Sequence, residues 1–266
     1  MNKKIGFIGT GNMGQAMLKG IISSKIVPCE NILVSDKDEV KLKEISAKFN
    51  IVGKTSNKFV AENSDILILS IKPNIYNIVI EEIKDIIKEE TIVITLAPNL
   101  SLENISKMFS RELKIVRSMP NTPAFVGAGM SAVVPNLNIT KDDLNYVLEI
   151  FNSFGKVEIV DEKIMSTVVA VSGSSPAYIF MLIEAMADAA VSGGMTRTAA
   201  YKFAAQSVLG SAKMVLETGL HPGILKDMVC SPGGTTIDAV MELEKSGFRN
   251  SIIQGMKACE NKAKNM

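Results

Sequence analysis

Lys3-Lys4-Ile5-Gly6-Phe7-Ile8-Gly9-Thr10-Gly11-Asn12-Met13-Gly14 joins a short apolar run directly to a G-x-G-x-x-G pattern. Ala16, Met17, Leu18 and Ile21 then follow at helical spacing. A strand, a glycine turn and a helix in that order give the glycine pattern its meaning. The glycines differ in what they make possible. Gly9 permits the tight turn, Gly11 lets a pyrophosphate approach the backbone, and Gly14 allows close helix–strand packing. The helix start adds free N–H groups and a partial positive charge. The stretch predicts dinucleotide binding.

Working outward, the same alternation repeats. Apolar runs at 31–35, 65–70, 91–96 and 113–118 read as strands, with later ones at 128–134 and 157–160. Helical patterns lie at about 40–49, 74–88, 102–109 and 141–154. The 65–70 run is continuously apolar, as in strands buried on both faces of a parallel sheet. Repeated β-α alternation with short loops argues for a doubly wound, mostly parallel sheet. Beyond residue 160 no convincing strand remains, only helices at about 161–172, 176–193, 196–218, 222–230, 235–246 and 248–264. The expected division is therefore an α/β domain over 1–160 and an all-α domain over 161–266. Several of the later helices carry small residues on more than one face, which suggests burial against other helices, including those of a second subunit.

Composition narrows the class. The 266 residues carry 29 Lys and Arg against 28 Asp and Glu, with no basic stripe, so neither nucleic acid nor an anionic membrane is an expected partner. Cys29, Cys230 and Cys259 are odd in number and widely spaced, which fits a reducing compartment. With one His and no C-x-x-C, a metal site has almost no ligands to draw on, and none is expected. The chain enters its first strand at once, so no targeting peptide is expected and the location reads as cytoplasmic. The apolar stretch 168–191 contains Pro176, Glu184 and Asp188, and reads as a buried, tightly packed helix of a soluble protein.

Candidate site residues gather at strand ends and at one glycine-rich loop. Asp36 follows the second strand roughly 20 residues after the glycine motif, where a carboxylate accepts from an adenosine ribose and favours NAD. Its neighbours Ser35 and Lys37 suit a 2′-phosphate and would favour NADP; as a third possibility Asp36 caps the next helix. The choice between NADH and NADPH stays open on these residues. Lys72-Pro73, after Ile71, ends a central strand at the edge where ligands bind in open α/β sheets. Met119-Pro120-Asn121-Thr122-Pro123 forms a second stiff turn at another strand end, reading as a cleft wall. The segment 171–178 reads as a small-residue break between two helices. Ser231-Pro232-Gly233-Gly234-Thr235-Thr236 leads into an apolar helix and combines a helix start, two glycines and three hydroxyls. That suits a small carboxylate. Between Lys163 and Arg197 there is no Lys, Arg or His to protonate a ketone, whereas an imine protonates readily in water and needs mainly alignment.

Taken in order, Gly9–Gly14, 71–73, 119–123, 172–178, His221-Pro222 and 231–236 resemble the pyrroline-5-carboxylate reductases over nearly the whole chain. The resemblance implies a Rossmann domain followed by a helical domain that interlocks with a partner as a homodimer, often within a larger ring. It implies hydride transfer from NADPH or NADH to the C=N bond of 1-pyrroline-5-carboxylate, giving L-proline. Ser231, Gly233, Gly234, Thr235 and Thr236 would hold the substrate, with Thr236, the one catalytic candidate, bonding near the ring nitrogen. Gly9, Gly11, Asn12, Met13 and Gly14 would hold the cofactor. Asn57 would reach its adenosine ribose, and Ile71, Lys72, Pro73 and Asn121 would line its nicotinamide side. Two positions depart from the pattern: Ser175 stands where many relatives have Gly, and Asp36-Lys37 stands where NADPH-preferring relatives commonly place an Arg. Competing readings are a dehydrogenase of another small acid or larger cyclic imine, and a nucleotide sensor without turnover.

Overall fold

The computed structural model describes residues 3–265. Two compact units result, one running to Ser174 and regaining the chain from Cys259, the other covering Ser175–Ala258. The last strand ends at Ile159, close to residue 160, while the compact units part after Ser174.

In the first unit the strands are β1 (Ile5–Ile8), β2 (Ile32–Ser35), β3 (Val52–Gly53), β4 (Ile66–Leu69), β5 (Ile92–Thr95), β6 (Lys114–Met119), β7 (Gly129–Pro135) and β8 (Gly155–Ile159). They form one eight-stranded sheet in the order β3-β2-β1-β4-β5-β6-β7-β8. Every neighbouring pair is parallel except β6 and β7. The helices are α1 (Asn12–Ser24), α2 (Glu39–Phe49), α3 (Asn57–Glu62), α4 (Tyr76–Ile83), α5 (Leu102–Phe109), α6 (Lys141–Asn152) and the short α7 (Met165–Val168).

Strand alternation explains why helices cover both faces. Ile5, Phe7, Ile32, Val34, Ile66 and Ile68 pack in one core with Met17 and Ile21 of α1, Leu42 of α2 and Phe151 of α6. Their neighbours Ile8, Leu33, Leu67 and Leu69 face the other way, against Val60 of α3, Ile80 of α4 and Phe109 of α5. Four-residue strands buried at every position require this two-sided cover.

Short elements escaped the periodicity. The two residues of β3 and the six of α3 are too few to show a repeat, and the helix expected over 74–88 is a 3₁₀ turn (Pro73–Ile75) followed by α4. Helix α3 owes its start to Ser56, whose hydroxyl accepts from Phe59 N.

The second unit contains α8 (Ser175–Ser192), α9 (Arg197–Thr218), α10 (Pro222–Val229), α11 (Thr235–Lys245) and most of α12 (Phe248–Lys264). The expected burial of the 168–191 stretch does not hold within one chain: in α8 only Ala187 is buried. Across this unit the described residues bury only Ala187, Ala200 and Ala204, while Phe180, Met181, Phe203, Leu216, Met228 and Met241 stand exposed. The physical reason is that small residues let helices approach, while the large apolar ones point away from the chain's own contacts. The expected break over 171–178 is also corrected. A π-helical turn, Val169–Gly173, carries the chain from α7 toward α8.

One buried side chain ties two strand ends together. Tyr76 is fully buried; its hydroxyl donates to Leu69 O (2.8 Å) and accepts from Thr95 Oγ1 (3.1 Å) and Leu96 N (3.2 Å). Burial pushes the phenol up to about 12, against the opposing effect of bonds from Thr95, Leu96 and Ala97, so it stays a neutral donor. Tyr76→Phe should leave these groups unsatisfied and lower the unfolding free energy by about 1–3 kcal/mol. Urea titration checks this, and an unchanged midpoint would contradict it.

Candidate active site

The loop between β1 and α1 is shaped around what its glycines lack. Gly9 sits at φ 91°, and a Cβ there would lie 2.5 Å from Ser70 O. At Gly14 a Cβ would come within 2.6 Å of Ser70 Oγ, so α1 approaches the end of β4 only because the side chain is missing. At Gly11 a Cβ would meet nothing within 4 Å, leaving open space beside the backbone. Gly11 is also the N-cap of α1, with no side-chain cap and no acidic residue in the first turn. The first N–H groups of the helix therefore remain available to an anion.

Gly11, Asn12 and Met13 form one side of a cleft of about 380 Å³, opposite Ser70, Ile71, Lys72, Pro73, Leu96, Met119 and Pro120. These residues follow the carboxyl ends of β1, β4, β5 and β6. Strand order reverses between β1 and β4, the position where open α/β sheets bind ligands. A dinucleotide fits this arrangement: an open glycine face, uncapped helix N–H groups and a long cleft along the strand ends.

Asp36 is turned into the loop. Its Oδ2 accepts from Thr10 N (2.8 Å), Thr10 Oγ1 (2.6 Å) and Lys41 Nζ (3.2 Å), and its Oδ1 accepts from Asp38 N (3.1 Å). Asp38, not Asp36, caps α2. Ser35 is fully buried, and its hydroxyl donates to Asn57 Oδ1 (2.8 Å), so it offers no exposed group to a phosphate. Asn57 Nδ2 in turn donates to Glu82 Oε2 (2.8 Å), while Lys37 is exposed. Asn121 is 8% exposed and stands behind Met119 and Pro120, its amide bonded to Ser172 and Met130.

Sequence reasoning passed over Thr10 and Glu82, whose partners lie 26 and 25 positions away, over Lys41, five positions from Asp36, and over Ser70 and Leu96. The last two carried a usable signal: each directly follows an apolar strand at the ligand-binding edge.

In the second unit, α10 ends and a turn closes with Gly234 N donating to Ser231 O (3.0 Å). Gly233 adopts φ 67°, and Gly234 is the N-cap of α11 without a side-chain cap. Ser231 and Thr235 are exposed and Thr236 is half-buried. Helix N–H groups and hydroxyls thus lie together on a short loop, a donor set suited to a carboxylate. Among the described residues no three His, Cys, Asp or Glu side chains gather as a metal site would require.

The Asp36 bonds make a pH-dependent prediction. Burial alone would raise its pKa, but the bonds from Thr10, Asp38 and Lys41 outweigh it and hold the carboxyl at about 2, below its ordinary 3.8. A depressed carboxyl stabilises the fold above its unfolded pKa and loses that contribution as pH falls through the folded value. Asp36→Asn should cost about 1–2 kcal/mol at neutral pH after solvent screening, the gap closing by about pH 2. Urea titrations at both pH values check this, and a pH-independent gap would contradict it.

Residues 162–266 match the family model for pyrroline-5-carboxylate reductase dimerisation, and residues 4–98 match that for coenzyme F420-dependent NADP oxidoreductases. The pyrroline-5-carboxylate reductase of Escherichia coli K12 is 50% identical over 266 residues, covering 100% of this chain and 99% of the relative. A pyrroline-5-carboxylate reductase structure from Coxiella burnetii superposes with a TM-score of 0.93 at 36% identity, covering 100% and 98% of the two chains. The Plasmodium falciparum enzyme, solved with NADP bound, gives 0.90 at 32% identity, covering 99% and 98%. A cleft formed around an open glycine, a carboxylate-ready loop on helices and end-to-end similarity to these relatives agree: the chain belongs to the pyrroline-5-carboxylate reductase family.

Proposed function

We propose that the chain is an oxidoreductase that converts 1-pyrroline-5-carboxylate to L-proline, the last step of proline formation, with NAD(P)H as its cofactor. The observation that carries this reading is the full-length identity to a reductase of that substrate, on a chain whose dinucleotide cleft is open at Gly11. When bound, the reduced nicotinamide supplies the hydride. The residues of the chain bind and orient. Gly9, Gly11, Asn12, Met13 and Gly14 form the pyrophosphate cradle, and Asn57, held by Ser35 and Glu82, serves the adenosine ribose. Ile71, Lys72 and Pro73, with Met119 and Pro120, wall the nicotinamide end.

On the substrate side, Ser231, Gly233, Gly234 and Thr235 hold the carboxylate, and the Thr236 hydroxyl bonds near the ring nitrogen. A ring imine is basic enough to take its proton from water, so no lysine or histidine general acid is required, and none lies between Lys163 and Arg197. Alignment is then the main contribution of the protein. In this reading residues 1–160 are the dinucleotide-binding domain, and residues 161–266 bind substrate and join the subunits.

The exposed apolar side chains of the second unit belong, on this reading, to a homodimer interface, which larger rings can repeat. The helical run Glu162–Ser192 is long and apolar enough to cross a membrane. Pro176, Glu184 and Asp188 within it favour a protein partner over lipid, and a cytoplasmic location. Light scattering coupled to size exclusion, without detergent, should give the mass of a dimer or a multiple of it; a stable monomer, or solubility only in detergent, would overturn this.

Loss of reduced-nicotinamide absorbance with 1-pyrroline-5-carboxylate tests the reaction, with NADH and NADPH run in parallel. Thr236→Ala should lower kcat/KM by about one to two decades, as expected for one lost hydrogen bond of roughly 1.5–3 kcal/mol to a charged partner. Unchanged kinetics would remove Thr236 from the mechanism.

A further inference from the structure

The Val169–Gly173 π turn has a cause in the sequence. Pro176 has no N–H, so the carbonyl four residues earlier, Ser172 O, loses its helical donor. A freed carbonyl of this kind is re-satisfied by a side chain, by water or by a local change of helical pitch. Here both pitch and side chain respond. Ser174 N donates to Val169 O (2.8 Å), a five-residue step, and Asn121 Nδ2 donates to Ser172 O and Ser172 Oγ (3.2 Å each). The other end of the same amide, Asn121 Oδ1, accepts from Met130 N (2.8 Å) at the start of β7. Asn121 therefore joins three backbone segments: the turn after β6, β7 and the π turn.

A second contact runs alongside. A Cβ on Gly173 would lie 2.5 Å from Met119 Cε, so Met119 occupies space left by the missing side chain. Met119 and Pro120 line the cleft, and both precede Asn121 directly. The cleft wall and the π turn are thus bound by a hydrogen-bonded amide and a close van der Waals contact one after the other in sequence. Asn121 itself is buried behind that wall.

The geometry points to Asn121 as a positioning residue for hydride transfer, acting through Met119 and Pro120 rather than by touching the cofactor. The inference rests on the reading of the chain as an NAD(P)H-dependent imine reductase. Loss of the amide frees the wall against which the nicotinamide end is placed, while the glycine cradle and the Asn57 corner are untouched. Hydride transfer depends steeply on placement, so a small displacement affects the chemical step far more than affinity.

The test compares wild type, Asn121→Ala and Gly173→Ala. Asn121→Ala should lower kcat about ten- to hundredfold and raise the primary isotope effect with C4-deuterated cofactor, as expected when hydride transfer becomes rate-limiting. Its Kd for NADPH, titrated by nicotinamide fluorescence, should stay within about twofold of wild type, since Asn121 is buried and does not line the cleft. A merely structural loss would lower the melting temperature without raising the isotope effect. Gly173→Ala, which forces Met119 aside while keeping the amide, should show the same pattern in weaker form. Wild-type kcat and isotope effect in Asn121→Ala would overturn the proposal, as would a rise in Kd as large as the fall in kcat. If Asn121→Ala does not fold, Gly173→Ala decides: wild-type kcat and isotope effect there overturn the proposal. Absence of turnover in the wild type would instead overturn the reading of the reaction, leaving cofactor titration to report on the cleft.

Discussion

Parallel pairing of β1 with both β2 and β4 is the constraint from which the first unit follows. Parallel neighbours need crossovers, and crossovers of one hand place helices on alternate faces when the chain reverses its direction of travel across the sheet. The reversal lies at β1. There the loops after β1 and β4 diverge to opposite sides and leave a crevice that no element of the unit fills. Gly9 and Gly14 let the two loops come close at its base, and Tyr76 anchors the ends of β4 and β5 beneath it. The cleft is a by-product of topology, refined by a few side chains.

Polar side chains in this region mostly hold backbone. Asp36 fixes the glycine loop through Thr10, Ser35 fixes Asn57, and Asn121 fixes the turn after β6. Each would read as a ligand-contacting group by position alone. What faces the cleft is largely backbone and small or apolar side chains, as befits a site whose work is placement.

How much of this the sequence revealed depended on the range of the interaction. Long apolar runs such as 65–70 and the glycine motif announced the sheet and its cleft because their signal is local. The 102–109 helix was legible for the same reason, having an apolar face of regular period. For Asp36 the sequence leaves ribose acceptor and helix cap both open, because nothing near it shows that Thr10, 26 positions earlier, takes its carboxylate. The small residues of 171–178 read as a break because such residues usually interrupt helices; Pro176 signals an orphaned carbonyl, but not that Asn121 supplies the donor. The burial expected for 168–191 is not met within one chain for a different reason: an apolar helix reports that it needs cover, without fixing which helices provide it.

A helical unit that buries three alanines within its own chain has little hydrophobic stabilisation with which to oppose the entropy of ordering its residues. For such a unit, association and folding are coupled, and its apparent stability depends on the concentration of its partner. The first unit carries cores on both faces of its sheet, whereas the large apolar side chains of the helical unit take their cover from association. Dilution thus weakens the cover of these helices much as a denaturant weakens a core.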